Sequence, residues 1–271
     1  MTEMANEIER VTGKHAAWAD RTSRGLNDRR TAFTNFDDCL LVPLDPETRG
    51  QLEAGAGNEL MRMTSMRSSS ALAVNVFLPW KGNLEPLAVA LGFPGDYSAM
   101  GFEQKFPTGV SNRHPHLDVV LYGKPRPVAV EAKFLEIYDP PKKQEIANSY
   151  RLKPELWEGL ANLRTLADEV VARPDVYERL GVAQLVKHSL GLSRKYGPRG
   201  FELVYIWYEV PGQIAQTHLE EIERFRKRIM GDISFTALTY QELLADLVTL
   251  AEPITGYLDH LMGRYFDGTP K

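Results

Sequence analysis

The sequence contains a single cysteine and no long apolar stretch. Cys39, alone among 271 residues, cannot form an internal disulfide, which excludes a disulfide-stabilised secreted fold and favours a reducing compartment. No uninterrupted apolar run approaches the roughly 18 residues that a membrane span requires. The polar residues 1–15 contain no apolar segment typical of a signal peptide. We therefore expect a soluble protein of the cytoplasm that does not bind membranes.

Basic residues are not in excess either. The chain has 32 lysine and arginine residues against 36 aspartate and glutamate residues, a formal net charge of −4, so overall charge would not hold it on nucleic acid. A nucleic-acid partner would need a local basic patch or a metal ion. The hydrophobic fraction of 43% and the charged fraction of 25% are those of a globular protein, and the length allows a substantial core.

No internal repeat or low-complexity linker divides the chain. Residues 1–66 are predicted to be mostly helical and irregular, and we expect them to form an N-terminal helical extension packed on a core of residues 67–271. That core would end in a C-terminal helix, and the two parts together would form one domain. The segment 68–80 predicts a helix, because its serines offer an N-cap and Pro79 ends the apolar run.

Strand and helix patterns alternate in the rest of the chain. Apolar runs at 117–122 and 128–134 are separated by Gly-Lys-Pro-Arg-Pro, a sequence typical of a hairpin turn. Further strands are predicted at 101–107, 201–210 and 233–239, and helices at 154–172, 182–191, 214–229 and after the capping-box sequence at 239–242. A strand, a helix and a strand with short connections imply a parallel crossover. The sequence therefore predicts an α/β fold in which helices flank a mixed sheet, made of an antiparallel hairpin and a parallel crossover.

Two charged residues end the second strand of this hairpin. Glu131 and Lys133 lie on one face of the strand, because alternate side chains share a face. A turn centred on 123–126 places Asp118 opposite Glu131. Directly opposed carboxylates destabilise a sheet, and a cation between them would remove the repulsion. Mg²⁺ prefers one or two carboxylates with waters and a substrate phosphate, so the pattern predicts a metal site. A structural ion-pair cluster is the alternative interpretation.

The same residues carry a resemblance to a known family. Asp118, followed after an apolar strand by Glu131-Ala132-Lys133, resembles the PD-(D/E)xK nuclease superfamily, which has the restriction-endonuclease-like fold. Over roughly 60–245, the sequences SSSALAVNVF, FEQKF and QLVKHSLGL are also similar to a group of restriction endonucleases proposed from their sequences. Leu117 replaces the family's proline before the aspartate. Glu103-Gln104-Lys105 is a second acid-x-lysine triplet, but it lacks an aspartate at hairpin distance upstream.

The resemblance implies a role for each of these residues. Asp118 and Glu131 would bind Mg²⁺, with Mn²⁺ as a substitute, helped by the carbonyl of Ala132. Lys133 would position the attacking water and neutralise charge on the phosphate. Glu103 would be an additional metal ligand, directly or through water. Phosphodiester cleavage requires a metal-activated water and positive charge near the transition state, which this set would supply.

A helix beside the sheet offers further candidates. Gln184, Lys187 and His188 are spaced to share one helix face. The resemblance implies that Gln184 points toward the site, and a merely solvated face is the alternative for all three. The sequence His-Pro-His-Leu-Asp at 114–118 also invites a metallo-hydrolase interpretation, but Val119 stands where that motif has a further histidine. A loop at the rim of the site is the favoured interpretation.

These observations lead to two functional hypotheses of different classes. The first is a Mg²⁺-dependent DNA endonuclease that hydrolyses phosphodiester bonds, in keeping with a role in restriction or defence. The second is a catalytically silent member of the fold that binds nucleic acid or a partner protein. An RNA nuclease is a third and weaker option. Enzymes of this fold often dimerise to cut both strands, so the resemblance also implies a homodimer as one option.

Overall fold

A five-stranded mixed sheet forms the centre of the molecule. The computed structural model describes residues 2–55, 59–110 and 114–266. The strands follow one another in chain order across the sheet: β1 Asp96–Lys105, β2 His116–Lys124, β3 Val128–Lys133, β4 Glu202–Trp207 and β5 Ser234–Thr239. β2 is antiparallel to β1 and β3, whereas β3, β4 and β5 are parallel. The predicted α/β class, with a hairpin and a parallel crossover, is confirmed.

Helices flank this sheet and precede it. Those of the described residues are α1 Thr2–Arg21, α2 Pro46–Glu53, α3 Glu59–Met63, α4 Ser69–Phe77, α5 Glu85–Ala90, α6 Asn148–Arg151, α7 Ala161–Ala172, α8 Val182–Tyr196, α9 Gln213–Arg228, α10 Tyr240–Leu247 and α11 Tyr257–Arg264. Short 3₁₀ turns lie at Phe36–Cys39, Leu78–Trp80, Glu136–Tyr138 and Pro154–Trp157. None of the helices in these ranges has the length and apolarity that crossing a bilayer requires.

The β2–β3 hairpin has the register that its turn predicts. Val119 pairs with Val130, and the next pair along the hairpin is Val120 with Ala129. The same register, continued by one residue toward the open end, sets Asp118 opposite Glu131. The valines and the alanine of these pairs are buried, as expected for strands covered on both faces.

Local capping signals also appear where the sequence predicts them. The Ser68 hydroxyl accepts a hydrogen bond from the Ala71 N–H at 3.1 Å and begins α4. Thr239 and Glu242 form the capping box at the start of α10. A cap of this kind stabilises a helix by about 1 kcal/mol. Between β4 and β5, α9 buries Phe225 against Phe235 of β5, and Ile229 directly after the helix is buried too, as the apolar spacing predicts.

Four elements differ from the prediction. β1 begins at Asp96 rather than at 101, because its first residues also pair with β2. The helix predicted over 154–172 is a 3₁₀ turn followed by α7, separated by Gly159, whose φ of +73° is left-handed. α8 continues beyond 191 to Tyr196, and α11 follows the helix that the sequence analysis took as the last.

The N-terminal helices pack on the same core as the sheet. Trp18 on α1 is buried and meets His260 on α11 in an edge-to-face contact, with ring centroids 4.9 Å apart. Arg264, also on α11, is buried; its guanidinium donates to the Cys39 carbonyl and lies 5.4 Å from the Trp18 ring. Cys39 is buried and unpaired, as expected. The boundary between extension and core at residue 66 stays a prediction.

Candidate active site

One end of the sheet holds the predicted site. Since β2 is antiparallel to its neighbours, the ends of β1 and β3 and the start of β2 meet there. A cavity of about 680 Å³ opens at this end, within the roughly 300–1,000 Å³ of ligand sites. All six residues that the sequence analysis assigned to the site line it: Glu103, Asp118, Glu131, Ala132, Lys133 and Gln184.

Glu131 is the most enclosed acid of the cavity. Its side chain is 2% exposed, and its Oε1 accepts a hydrogen bond from Lys133 Nζ at 2.5 Å. His188 Nε2 lies 2.9 Å from Oε2, but without the geometry of a hydrogen bond, so Oε2 has no donor. Burial alone would raise the pKa of Glu131, but Lys133 and His188 outweigh it and hold that pKa at about 2. The carboxylate is therefore ionised.

Asp118 reaches the same cavity from β2. It is half-buried, and its Oδ2 accepts a hydrogen bond from the backbone N–H of Ala132 at 2.6 Å. Burial raises the pKa of Asp118 well above its ordinary value, and repulsion from Glu131 and Glu103 raises it further. Lys133 and the Ala132 N–H oppose this rise without cancelling it. Negative charge is thus crowded at this point of the hairpin.

Glu103 has an unusual backbone conformation for a strand residue. It lies in β1 between Phe102 and Gln104, and its φ is +48°, in the left-handed region. Such strain costs of the order of 1–3 kcal/mol and persists only where the surroundings impose it. Here the Phe102 N–H donates to the side-chain oxygen of Gln51 on α2 at 2.8 Å, outside the normal ladder. The Glu103 side chain is 8% exposed and lies 3.4 Å from His116 Nδ1.

The sequence analysis missed a fourth acid, Glu59 on α3. After burial, Glu59 is the strongest influence that raises the pKa of Glu103, to about 8, with Glu131 adding to it. Glu59 Oε2 accepts a hydrogen bond from Ser70 Oγ at 2.7 Å, so its position depends on the start of α4. Nothing in the spacing around residue 59 indicates the site, because Glu59 comes near Glu103 only in the folded chain.

The start of α4 also belongs to the cavity. Its wall includes three consecutive serines and the preceding arginine: Arg67, Ser68, Ser69 and Ser70. Arg67 is held by an ion pair with Asp139 at 2.6 Å. The N-terminus of a helix attracts anions, because its backbone N–H groups and dipole point outward. The sequence analysis identified the serines as caps but assigned them no place in the site.

Helix α8 presents the predicted face to the cavity. Gln184, Lys187 and His188 all line it. Gln184 is exposed, Lys187 is half-buried and His188 is buried against Glu131. The three residues thus share one helix face that borders the cavity, and a role for any of them in the site stays a prediction.

Histidines at the rim do not build a separate metal centre. His114 lines the cavity and His116 contacts Glu103. Within the described parts of the chain, no three or more His, Cys, Asp or Glu side chains surround a possible ion position. A bound ion would rely on fewer protein ligands with water and substrate oxygens, the usual coordination of Mg²⁺. Asp118 and Glu131 fit such an ion, because they repel one another and Glu131 Oε2 is buried without a donor.

Comparison with known proteins assigns the chain to a family. The family model described as Restriction Endonuclease associating with ARP matches residues 27–266, a range that contains every candidate site residue. No match to the chain was found among curated proteins or among solved structures. The resemblance to restriction endonucleases is thus confirmed, and it supports a nuclease-like role. The chain belongs to the family of restriction endonucleases associating with ARP.

Proposed function

We propose that the protein is a Mg²⁺-dependent endonuclease that hydrolyses phosphodiester bonds of DNA. One observation carries the proposal: Asp118, Glu131 and Lys133 converge in one cavity, where the carboxylates repel each other. Keeping the charge of Asp118 beside the ionised Glu131 is costly, and a cation between the two carboxylates is the simplest partner that would lower that cost. Family membership supports the nuclease part of the proposal.

Asp118 and Glu131 would hold the ion, with the Ala132 carbonyl and Glu103 as further oxygen donors. Mg²⁺ at this position would activate a water and neutralise charge on the phosphate. Glu103, whose pKa is about 8, would lose its proton when a cation binds beside it. The strained backbone of Glu103 supports a functional role, because strain of this kind clusters at active sites.

Lys133 would act as a permanent positive charge. Burial would lower its pKa, but Glu131 and Asp118 raise that pKa above its ordinary value, so the ammonium keeps its proton at neutral pH. A protonated amine cannot serve as a general base. Lys133 therefore orients the attacking water and stabilises negative charge that develops on the phosphate. The N-terminus of α4 offers a second positive region for the phosphate.

A catalytically silent member of the fold is the second candidate, and one observation favours it. Glu131 already has the charge of Lys133 on one oxygen and His188 close to the other. This is also the arrangement of a structural ion-pair cluster that requires no metal. Such a protein would bind nucleic acid or a partner without cleaving it.

Incubation of the purified protein with supercoiled plasmid distinguishes the two candidates. We expect nicked or linear DNA with Mg²⁺ or Mn²⁺ and none with EDTA, and a parallel RNA substrate tests the choice of nucleic acid. Plasmid that is retarded on a gel but stays intact with both metals would favour the silent member. Intact plasmid without retardation would contradict both the nuclease and a silent member that binds nucleic acid, and would leave only a silent member that binds a partner protein.

Cellular context and assembly are part of the proposal. We infer a cytoplasmic location, because Cys39 is a buried free thiol that suits a reducing compartment. We further propose a homodimer, which would let two sites cut both strands. The family description also names an association with ARP, which we extend to this chain. Sedimentation of the protein with and without DNA tests the dimer.

A further inference from the structure

A second cavity adjoins the catalytic one. It measures about 670 Å³ and shares His114, Pro115 and Lys187 with the catalytic cavity, so these residues lie on the border between the two. Its other walls come from the segment 144–150 and from Val171 on α7. None of the acids proposed to bind metal lines it. It therefore needs an explanation that the hydrolytic residues do not provide.

The walls of this second cavity are apolar with a polar edge. Ile146 and Tyr150 are buried, and Ala147 and Val171 add further apolar surface. Gln144 is held in place, because its Oε1 accepts a hydrogen bond from the Ala183 N–H at 3.1 Å. The Nε2 of this side-chain amide remains able to donate a hydrogen bond. A nucleobase presents matching chemistry, with flat apolar faces and an edge of donors and acceptors.

Lys187 lies on the border of the two cavities. It is half-buried on α8, and it forms no ion pair or hydrogen bond with the residues that the structure describes. Glu145 lies close enough to attract it, but not within ion-pair distance. A partly desolvated ammonium without a counter-ion favours an anionic ligand. The anion that would enter here beside the catalytic cavity is a phosphate of the substrate strand.

We propose that the second cavity binds the nucleotide next to the scissile phosphate, with its base against the apolar walls and its phosphate on Lys187. The inference rests on the proposed function, because a nucleic-acid strand must already lie in the catalytic cavity. It adds a binding site for the nucleotide that neighbours the scissile bond. The enzyme would then hold the strand on both sides of the bond that it cuts.

Fluorescence anisotropy with a labelled random-sequence DNA, measured in EDTA so that no cleavage occurs, tests this site. Lys187→Ala should bind about tenfold more weakly, because a charge-assisted contact is lost. The slope of its log affinity against log salt concentration should fall by an amount that corresponds to about one phosphate contact. Lys187→Arg should restore much of the affinity and of the slope. Ala147→Trp, which places an indole in the cavity from an exposed position, should weaken binding to a similar degree.

Lys227→Ala is the matched control, because Lys227 is an exposed lysine on α9 that lines neither cavity. It should bind as the wild type does, and melting curves establish that every variant is folded. Wild-type affinity in both Lys187→Ala and Ala147→Trp would overturn the site while leaving the proposed nuclease standing. If Lys187→Ala weakens binding but Ala147→Trp does not, the proposal that a base occupies the cavity would be overturned. A wild type that binds no DNA in EDTA and leaves plasmid intact with Mg²⁺ would remove the proposed function and this inference together.

Discussion

The carboxylate of Asp118 is tied to the backbone N–H of Ala132 by a hydrogen bond of 2.6 Å across the β2–β3 hairpin. This bond fixes Asp118 beside Glu131, where the register of the hairpin alone would leave its side chain free to turn away. Two acids are therefore held together by the backbone of the same hairpin that brings Lys133 next to them. The predictions below follow from that crowding of charge and from the strain and burial around it.

Asp118→Asn should change how the protein responds to magnesium. Without metal the variant should be as stable as the wild type or slightly more so, because one of the repelling charges is gone. With free Mg²⁺ at about ten times an assumed millimolar dissociation constant, the wild type should gain about 1.4 kcal/mol. That corresponds to roughly 3–6 °C in melting temperature. Melting curves in EDTA and in Mg²⁺ measure both effects.

Asp96→Asn serves as the control for that comparison. Asp96 is exposed at the other end of β1, away from the cavity, so its variant should respond to Mg²⁺ as the wild type does. Equal Mg²⁺ shifts in Asp118→Asn and the wild type would place the ion elsewhere.

Glu103→Gly and Glu103→Ala should differ in stability although both remove the carboxylate. Glycine adopts the left-handed φ of +48° at little cost, whereas alanine keeps the strain. We expect the glycine variant to be more stable than the alanine variant by about 1 kcal/mol, measured by urea denaturation. If the alanine variant is the more stable, the backbone at this position is not strained. Both variants should cleave DNA more slowly.

Buried histidines should make the fold sensitive to mild acid. Burial lowers the pKa of His218 to about 3, so this residue is neutral in the folded protein, whereas it titrates near 6.5 when unfolded. Its contribution to stability is therefore complete above about pH 6.5 and is lost as the pH falls toward 3, at up to about 1.4 kcal/mol per pH unit.

His218→Gln isolates this effect. At about pH 5, the variant should take up about one proton fewer on unfolding than the wild type, so its free energy of unfolding should fall less steeply with pH. Urea denaturation at several pH values gives both slopes. Parallel slopes would mean that His218 is already charged in the folded protein, contrary to the effect expected from its complete burial.

The hairpin and its charged end were predictable because their determinants are local. Two prolines and a glycine mark the turn, and the alternation of apolar residues fixes which side chains share a face. From these, the positions of Asp118, Glu131 and Lys133 follow by counting. The face of α8 was predictable in the same way, since Gln184 and His188 are one helical turn apart.

The remaining features depend on contacts that sequence spacing does not reveal. The left-handed conformation of Glu103 occurs next to Phe102, whose N–H donates to the side chain of Gln51 on α2. Glu59 acts on Glu103 from α3, which packs against α4 and is held there by the hydrogen bond from Ser70. Helix α11 is short, and its Arg264 is anchored on the carbonyl of Cys39, 225 residues earlier. No local pattern encodes a contact over that distance, so this helix was missed.

Lys133 provides the most direct test of the proposed mechanism. Lys133→Ala, and Lys133→Gln with a side chain of similar length, should cleave plasmid ~10²–10⁴-fold more slowly than the wild type in Mg²⁺, because no charge then orients the water. Removing Lys133 leaves His188 as the remaining basic neighbour of the buried Glu131, so circular dichroism is needed to establish that these variants are folded. Lys227→Ala should cleave as the wild type does. Folded Lys133 variants that cut at the wild-type rate would contradict the assignment of Asp118, Glu131 and Lys133 as the active site.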